Sequence, residues 1–349
     1  DRASFLSLAE TLAPMLDGPF AGVVMHPYGW AGVLWSDGRM VAIDRIVSVG
    51  RSLEFLSVVP HPEPSALDVR QKDALGLVHD RVRNLSLAVV GAGGLGSPIA
   101  EQLVRMGVAE VILLDYDLLD TDSNVRRVFG ARMQDLRKED PMLKVDAVCR
   151  HLDDIGLGVR IRAIKGDVRK EEAFRHLLDA DVVFSATDTH GSRAIVNELA
   201  STYLLPVIDV GVRVSARMAA RLCGLLAEVR VLTATTPCLW CRGTISGDVI
   251  RVENLPTEER ERLKREGYVV QGVGDPAPSV IALTVLGSGL ATSALLALLS
   301  EEGDLVPSGY WVDGFMGDSH ISGPTQPKPD CRCRQQLGLG DNVSPPFMA

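Results

Sequence analysis

The chain has 349 residues, of which 46% are hydrophobic, 5% aromatic and 23% charged. That balance excludes a disordered chain and leaves room for about two folding units, or one large α/β domain with an appendage. A net charge of −9 disfavours nucleic acid as a bulk partner, because phosphate binding rests on lysine and arginine. An acidic chain can still hold one nucleotide through local groups.

Asp1–Glu10 carries no basic n-region, so no leader is expected there. Three β-like runs follow, Phe20–Val24, Trp30–Trp35 and Met40–Ile46, with a turn at Ser36-Asp37-Gly38. The stiff segment Pro60-His61-Pro62-Glu63-Pro64 sets a boundary. It divides a small N-terminal β-rich module, residues 1–62, from a larger domain, residues 63–349.

Strand and helix patterns alternate beyond that point. Leu85–Val90 is a mostly apolar run suited to a buried parallel strand, Gly91–Gly96 a turn, and Pro98–Met106 a helix with Ile99, Leu103 and Met106 on one face. Glu110–Leu114 is a second strand, ending at Asp115. A helix is expected around Pro141–Ile155, and strands at Asp181–Ser185, Pro206–Val210 and Glu228–Leu232. The expected fold is therefore α/β: a doubly wound, Rossmann-like, mostly parallel sheet. Thr257–Glu266 reads as a solvated charged helix. Pro276–Ser300 is uncharged and long enough to cross a bilayer. Its serines, threonines and glycines, and the lack of an aromatic belt, favour a buried helix and no membrane partner.

Gly91-Ala92-Gly93-Gly94-Leu95-Gly96 satisfies G-x-G-x-x-G between a strand and a helix. Glycine is needed there so that backbone N–H groups can approach phosphates, and the helix N-terminus adds a favourable dipole. Asp115, 19 residues past Gly96, ends the next strand, where a carboxylate can accept ribose hydroxyls. A nicotinamide dehydrogenase is the default reading of this pattern. Asp117, Asn124, Arg126 and Arg127 follow closely, then Lys144, and donors so placed suit a triphosphate better. Ser185-Ala186-Thr187-Asp188 puts a carboxylate at a strand end, where it can hold magnesium on phosphates. Taken singly, Asp188 also reads as a turn or helix cap, and Arg126 and Lys144 as solvated surface.

Six cysteines fall at 149, 223, 238, 241, 331 and 333. Two close pairs far apart suggest a metal site in a reducing compartment, and so the cytoplasm. Cys238, Cys241, Cys331 and Cys333 would give a tetrahedral zinc four thiolates and staple a C-terminal extension to the sheet, with Arg332 and Arg334 offsetting their charge. Unliganded thiols, or a redox pair at Cys238–Cys241, are the alternatives. Cys149 reads as core; Cys223, near Arg221, as a thiol that is either buried or reactive.

From about Arg70 to Cys333 the chain resembles the ThiF/MoeB/HesA family, the adenylating branch shared with ubiquitin-activating enzymes. The resemblance is carried by Val89–Ser97, Leu114–Asp117, Ser123-Asn124-Val125-Arg126-Arg127, Ala186-Thr187-Asp188, Thr236–Cys241 and Pro276–Val280. It implies ATP on Gly91, Gly93, Gly94 and Gly96, with Asp115 at its ribose and Asp117 close by. Asn124, Arg127 and Lys144 would contact the phosphates, and Asp188 would hold magnesium (Mg). Arg70 matches the family's arginine that reaches into a partner protomer's site, which implies a homodimer.

The implied reaction is attack of a protein's C-terminal carboxylate on the α-phosphate, releasing pyrophosphate. The implied substrate is a ubiquitin-like β-grasp protein of a bacterial conjugation or antiphage operon, with transfer onward to a conjugating enzyme or another thiol. Three features depart from the family pattern, one being a stretch between Arg127 and Lys144 a few residues longer than usual. Val128 stands where glutamine often follows the arginine, and Gly267–Asp275 lacks the cysteine some relatives carry there. Residues 1–60 faintly resemble the end of a JAB/MPN isopeptidase-type domain but contain no His-x-His ligand pair, which leaves packing or docking. A sulfur-carrier protein or short peptide as substrate, a non-catalytic docking scaffold, and hydride transfer are the other readings.

Overall fold

The structure is a computed structural model that describes residues 7–8, 10–12, 15–16, 18–26, 29–50, 52–57, 66–136, 139–217, 221–267, 279–300 and 307–343, and all of their side chains but 215–217 and 221–223. Contacts divide the chain into two compact units, residues 1–48 with 54–61, and residues 49–53 with 62–349. The Pro60–Pro64 boundary segment lies outside the described residues.

In the first unit, β1 (Phe20–His26), β2 (Gly29–Ser36) and β3 (Arg39–Ile43) form an antiparallel meander. Asp37 and Gly38 turn β2 into β3, both with positive φ, 51° and 72°. Two such residues in succession match the right-handed twist of the strands they join. The expected run Met40–Ile46 divides between β3 and β4 (Arg45–Val49), which pairs with β5 (Leu53–Ser57) in a separate two-stranded sheet.

The second unit is built on eight strands: β6 (Ser86–Val90), β7 (Glu110–Asp115), β8 (Arg160–Lys165), β9 (Val182–Ser185), β10 (Val207–Arg217), β11 (Arg221–Leu232), β12 (Gly309–Asp313) and β13 (Ser319–Ile321). They lie in the order β13-β12-β11-β10-β9-β6-β7-β8. From β10 to β8 all pairs are parallel. The strands β11, β12 and β13 are added antiparallel. The sheet is thus mostly parallel, with an antiparallel margin.

Several elements depart from the sequence reading. β10 and β11 form one long hairpin, so the expected strand Glu228–Leu232 runs antiparallel to its neighbours. β8, Arg-Ile-Arg-Ala-Ile-Lys, was not expected as a strand. It is one edge of the sheet, and the cations Arg160, Arg162 and Lys165 break up the apolar run that marks a central strand.

Helices α1 (Gly96–Arg105), α2 (Lys144–Ile155), α3 (His190–Thr202) and α4 (Ile281–Leu299) cover the sheet. Val90, Ile112, Leu114, Phe174, Val183 and Leu199 belong to one buried cluster. The uncharged run falls on α4, which packs against β10, β11 and α1, with half of its most apolar stretch buried. Its polar residues make contacts inside the protein: Ser288 Oγ donates to Leu95 O at 2.9 Å and Thr292 Oγ1 to Gln102 Oε1 at 2.7 Å.

The path of the chain creates a crevice. After β6 it steps outward through β7 and β8, then returns to β9 on the other side of β6. At such a switch point the connections leave the strand ends in opposite directions, opening a ligand cleft.

Candidate nucleotide cleft and cysteine cluster

A cleft of about 640 Å³ opens at the carboxyl ends of β6, β7 and β9. Its floor is the glycine loop, and each glycine has its own reason. Gly91 has φ +98°, and a Cβ there would lie 2.8 Å from Ala186 O. A Cβ on Gly96 would lie 1.7 Å from Gly91 O, so this residue closes the turn beneath the surface and does not line the cleft. Gly93 has nothing within 4 Å of its would-be Cβ and lines the cleft beside Gly94. The N-terminus of α1 follows directly, supplying the dipole that favours an anion.

Asp115 ends β7 against this floor. Its Oδ2 accepts from Ala92 N at 2.6 Å and its Oδ1 from Asp117 N at 2.7 Å. Burial raises its pKa above the ordinary aspartate value although those two bonds pull the other way. Each oxygen keeps a lone pair, so a neighbouring diol would find two fixed acceptors.

Asn124, Arg127 and Lys144 line the cleft from segments that follow β7. Buried Asn124 donates to Asp120 Oδ1 at 3.1 Å, and Arg127 Nη2 donates to Asn124 Oδ1 at 3.5 Å. Arg126, adjacent in sequence, is exposed and outside the lining.

On the other side stands Asp188. Capping of α3 is done by other groups: Ser192 N donates to Thr189 Oγ1, while His190 N and Gly191 N donate to the Glu253 carboxylate, each at 2.9 Å. The cap reading of Asp188 is thereby set aside. Its carboxylate is exposed and makes no hydrogen bond among the described residues. Arg193, one turn further along α3, also lines the cleft. Sequence reading missed it because an arginine inside a helix pattern looks like solvated surface. Arg70 lies on the exposed side of the short helix Val69–Leu75, outside the lining.

Cys238, Cys241, Cys331 and Cys333 come together with all four sulfurs within 4.8 Å of one another. Three Sγ···Sγ separations are 3.6, 3.6 and 3.7 Å. A tetrahedron with Zn–S bonds of about 2.3 Å has edges of about 3.8 Å, so the sulfurs fit zinc. Among themselves the thiols share little charge. Hydrogen bonds from its neighbours, Cys333 first, hold Cys238 down to about 5. Burial pushes Cys331 up to about 11, and the hydrogen bond with Cys238 pushes Cys333 up. A dication would let all four ionise.

Arg332 turns to Glu198 (3.8 Å) and Gln336 (2.5 Å), Arg334 is exposed, and Arg242 is the guanidinium that interacts with Cys238 and Cys241. Asn197 Oδ1 of α3 accepts from Leu239 N at 2.8 Å, fixing the first pair to the core.

Cys149 is half-buried, and burial pushes its thiol up to about 12, which makes it a poor nucleophile. Cys223 lies on β11, and its side chain is outside the described set, as is the segment 268–278.

A model of the ThiF family matches residues 68–333. The chain is 32% identical over 161 residues to the sulfur carrier protein ThiS adenylyltransferase of Bacillus subtilis (strain 168), a match covering 46% of this chain and 44% of that protein. It is 26% identical over 271 residues to ubiquitin-like modifier-activating enzyme 5 of Drosophila persimilis, covering 74% of this chain and 63% of that one. The chain thus spans less than two thirds of the length of either relative. Among solved structures, E. coli MccB with MccA-N7isoASN superposes with a TM-score of 0.58 at 16% identity, over 79% of this chain and 77% of that one. MccB with ATP gives 0.57 at 16% identity, over 79% and 76%. These likenesses establish a shared fold. With its family match covering most of the sequence, this chain belongs to the ThiF family.

Proposed function

We propose that the chain uses ATP to adenylate the C-terminal carboxylate of a ubiquitin-like β-grasp protein. The observation that carries this reading is one cleft in which the glycine loop and Asp115 face Arg127 and Lys144. In this reading Asp115 holds the ribose, and the N–H groups around Gly93 and Gly94 cradle phosphates. Asn124, Arg127 and Lys144 neutralise the triphosphate. Asp188, whose carboxylate makes no hydrogen bond among the described residues, would hold magnesium, which would screen the phosphate charge. A carboxylate is ionised at neutral pH, so no general base is required and catalysis is alignment plus charge neutralisation. One carboxylate oxygen bonds to the α-phosphorus as the bond to the β-phosphate oxygen breaks, and pyrophosphate leaves.

Arg70, outside its own cleft, is assigned to the cleft of a second copy, which makes the working form a homodimer. The acyl group then passes to a conjugating enzyme or another thiol. The likeness to ubiquitin-like modifier-activating enzyme 5 supports this substrate class because it extends over 74% of the chain. Activation of a sulfur carrier is the second reading, favoured by the higher identity to the ThiS adenylyltransferase. Exchange of labelled pyrophosphate into ATP tests both. Exchange that depends on an intact β-grasp C-terminus, and is abolished by Arg127→Ala and by Asp188→Ala, is expected; its absence with every β-grasp protein tried overturns the proposal.

A further inference from the structure

The three cations that line the cleft are not equivalent. Arg127 and Lys144 follow β7, on the side of Asp115. Arg193 stands across the switch point, on the helix that follows β9. Its guanidinium is anchored to the sheet: Nε donates to Thr187 O at 3.1 Å and lies 3.4 Å from Asp209 Oδ1, and Nη2 donates to Val210 O at 3.2 Å. Nη1 has no hydrogen-bond partner among the described residues, and the side chain is 16% exposed. β10 makes room for this group, since a Cβ on Gly211 would lie 3.0 Å from Nη2.

The anchor is itself paired. Fully buried Asp209 also accepts from Arg230 Nη1 at 2.6 Å and from Ser185 Oγ at 3.0 Å, and Arg230 binds Glu228. Two guanidiniums therefore face two carboxylates, and the group is electrically neutral. A polyphosphate requires positive charge that is free or easily released, which Arg127, in no ion pair among the described residues, and Lys144, held only by the half-exposed Asp117, offer. Arg193 offers oriented N–H donors with its charge already balanced, which suits a planar monoanion.

Building on the adenylation reading, we propose that Arg193 is the docking group for the incoming carboxylate, with Asp209 as its positioning residue. The unpaired N–H groups hold one carboxylate oxygen while the other bonds to the α-phosphorus. When the bond to pyrophosphate breaks, the held oxygen becomes the carbonyl oxygen of the acyl-adenylate. No proton moves in this step.

Calorimetric binding of ATP, of AMP and of 5′-O-(N-glycylsulfamoyl)adenosine, a stable acyl-adenylate mimic, tests the proposal. The wild-type protein is expected to bind the mimic more tightly than AMP. Arg193→Gln and Arg193→Lys are expected to keep the affinities for ATP and AMP and to lose about 10- to 100-fold on the mimic, the scale of a charge-assisted hydrogen bond. Arg193→Lys retains a cation beside Asp209, and Gly211→Ala displaces the guanidinium without removing charge, so the test survives an unstable Arg193→Gln. Asp209→Asn should lower the mimic-to-AMP affinity ratio while leaving ATP binding in place. A variant that loses ATP affinity as strongly as mimic affinity assigns Arg193 to the phosphates and overturns the proposal. Unchanged mimic binding, or a wild-type protein that gains nothing from the glycyl group, also overturns it. A wild-type protein that binds no ATP instead removes the adenylation reading itself.

Discussion

Lys144 is tied to Asp117 twice across 27 residues of sequence: its backbone N donates to Asp117 O at 2.9 Å, and its Nζ donates to Asp117 Oδ2 at 2.6 Å. The first bond places the start of α2 beside the loop after β7. The second holds the ammonium in the cleft wall, where the Lys144 side chain is 15% exposed against 49% for Asp117. The lysine is thus held ready, and a phosphate has to compete with one half-exposed carboxylate for it.

That competition fixes the sign of two substitutions. Lys144→Ala should weaken ATP binding about 10-fold or more, the scale of one charge-assisted hydrogen bond. Asp117→Asn removes the competing charge and should leave ATP bound at least as tightly, with a steeper dependence on salt. Calorimetric titration at two ionic strengths measures both. Weaker binding in Asp117→Asn would mean that Asp117 positions the lysine more than it competes for it.

Two glycines of the same loop, Gly96 and Gly93, separate folding from binding. Gly96→Ala would drive a Cβ into Gly91 O and should cost about 3 kcal/mol or more of stability, seen as an earlier denaturant midpoint. Gly93→Ala meets no atom within 4 Å and should leave the midpoint in place while lowering ATP affinity, because the new methyl sits in the cleft. Equal stability loss in both would contradict the placement of the loop.

If Asp115 holds the ribose as proposed, nucleotide binding is sensitive to pH. In that reading its ionised form is the acceptor, and burial raises its pKa in the fold. Adenosine affinity should therefore fall on acidification at a higher pH than an ordinary aspartate would dictate. The linked stability has the opposite sense. Because the folded value exceeds the unfolded one, the contribution of this carboxyl is complete below an unfolded pKa of about 3.9 and is lost as pH rises through the folded value. Adenosine titrations between about pH 4 and 7 should show the fall in the wild type and a flat, weaker profile in Asp115→Asn.

The cysteine cluster predicts about one zinc per chain by elemental analysis, consistent with four converging thiolates. Cys331→Ser or Cys333→Ser should lower the zinc content and the melting temperature together, at a cost of several kcal/mol. Chelation should reproduce the loss in the wild type and add nothing to the variants. A zinc-free protein that melts at the same temperature would show the thiols to be unliganded.

Much of the second unit was legible in advance because its central strands are buried on both faces. Leu85–Val90 and Glu110–Leu114 read as mostly apolar runs, and β6 and β7 are where they were expected. β8 was hidden by its cations Arg160, Arg162 and Lys165, and β12, Gly309–Asp313, was not expected as a strand. Gly91, Gly93, Gly94, Asp115, Asp117, Asn124, Arg127, Lys144 and Asp188 all line the cleft, whereas Gly96 supports it from beneath and Arg70 lies outside.

Spacing along the chain determined the glycine loop between a strand and a helix, the acidic strand end and the two cysteine pairs, because each depends on neighbours a few residues apart. Only the tertiary structure decided that β11 turns back antiparallel, that Thr189 and Glu253, not Asp188, cap α3, and that Arg193 faces the cleft on a buried Asp209. Those outcomes depend on hydrogen bonds and ion pairs between distant segments, whose strength comes from burial, and burial exists only once the sheet has assembled.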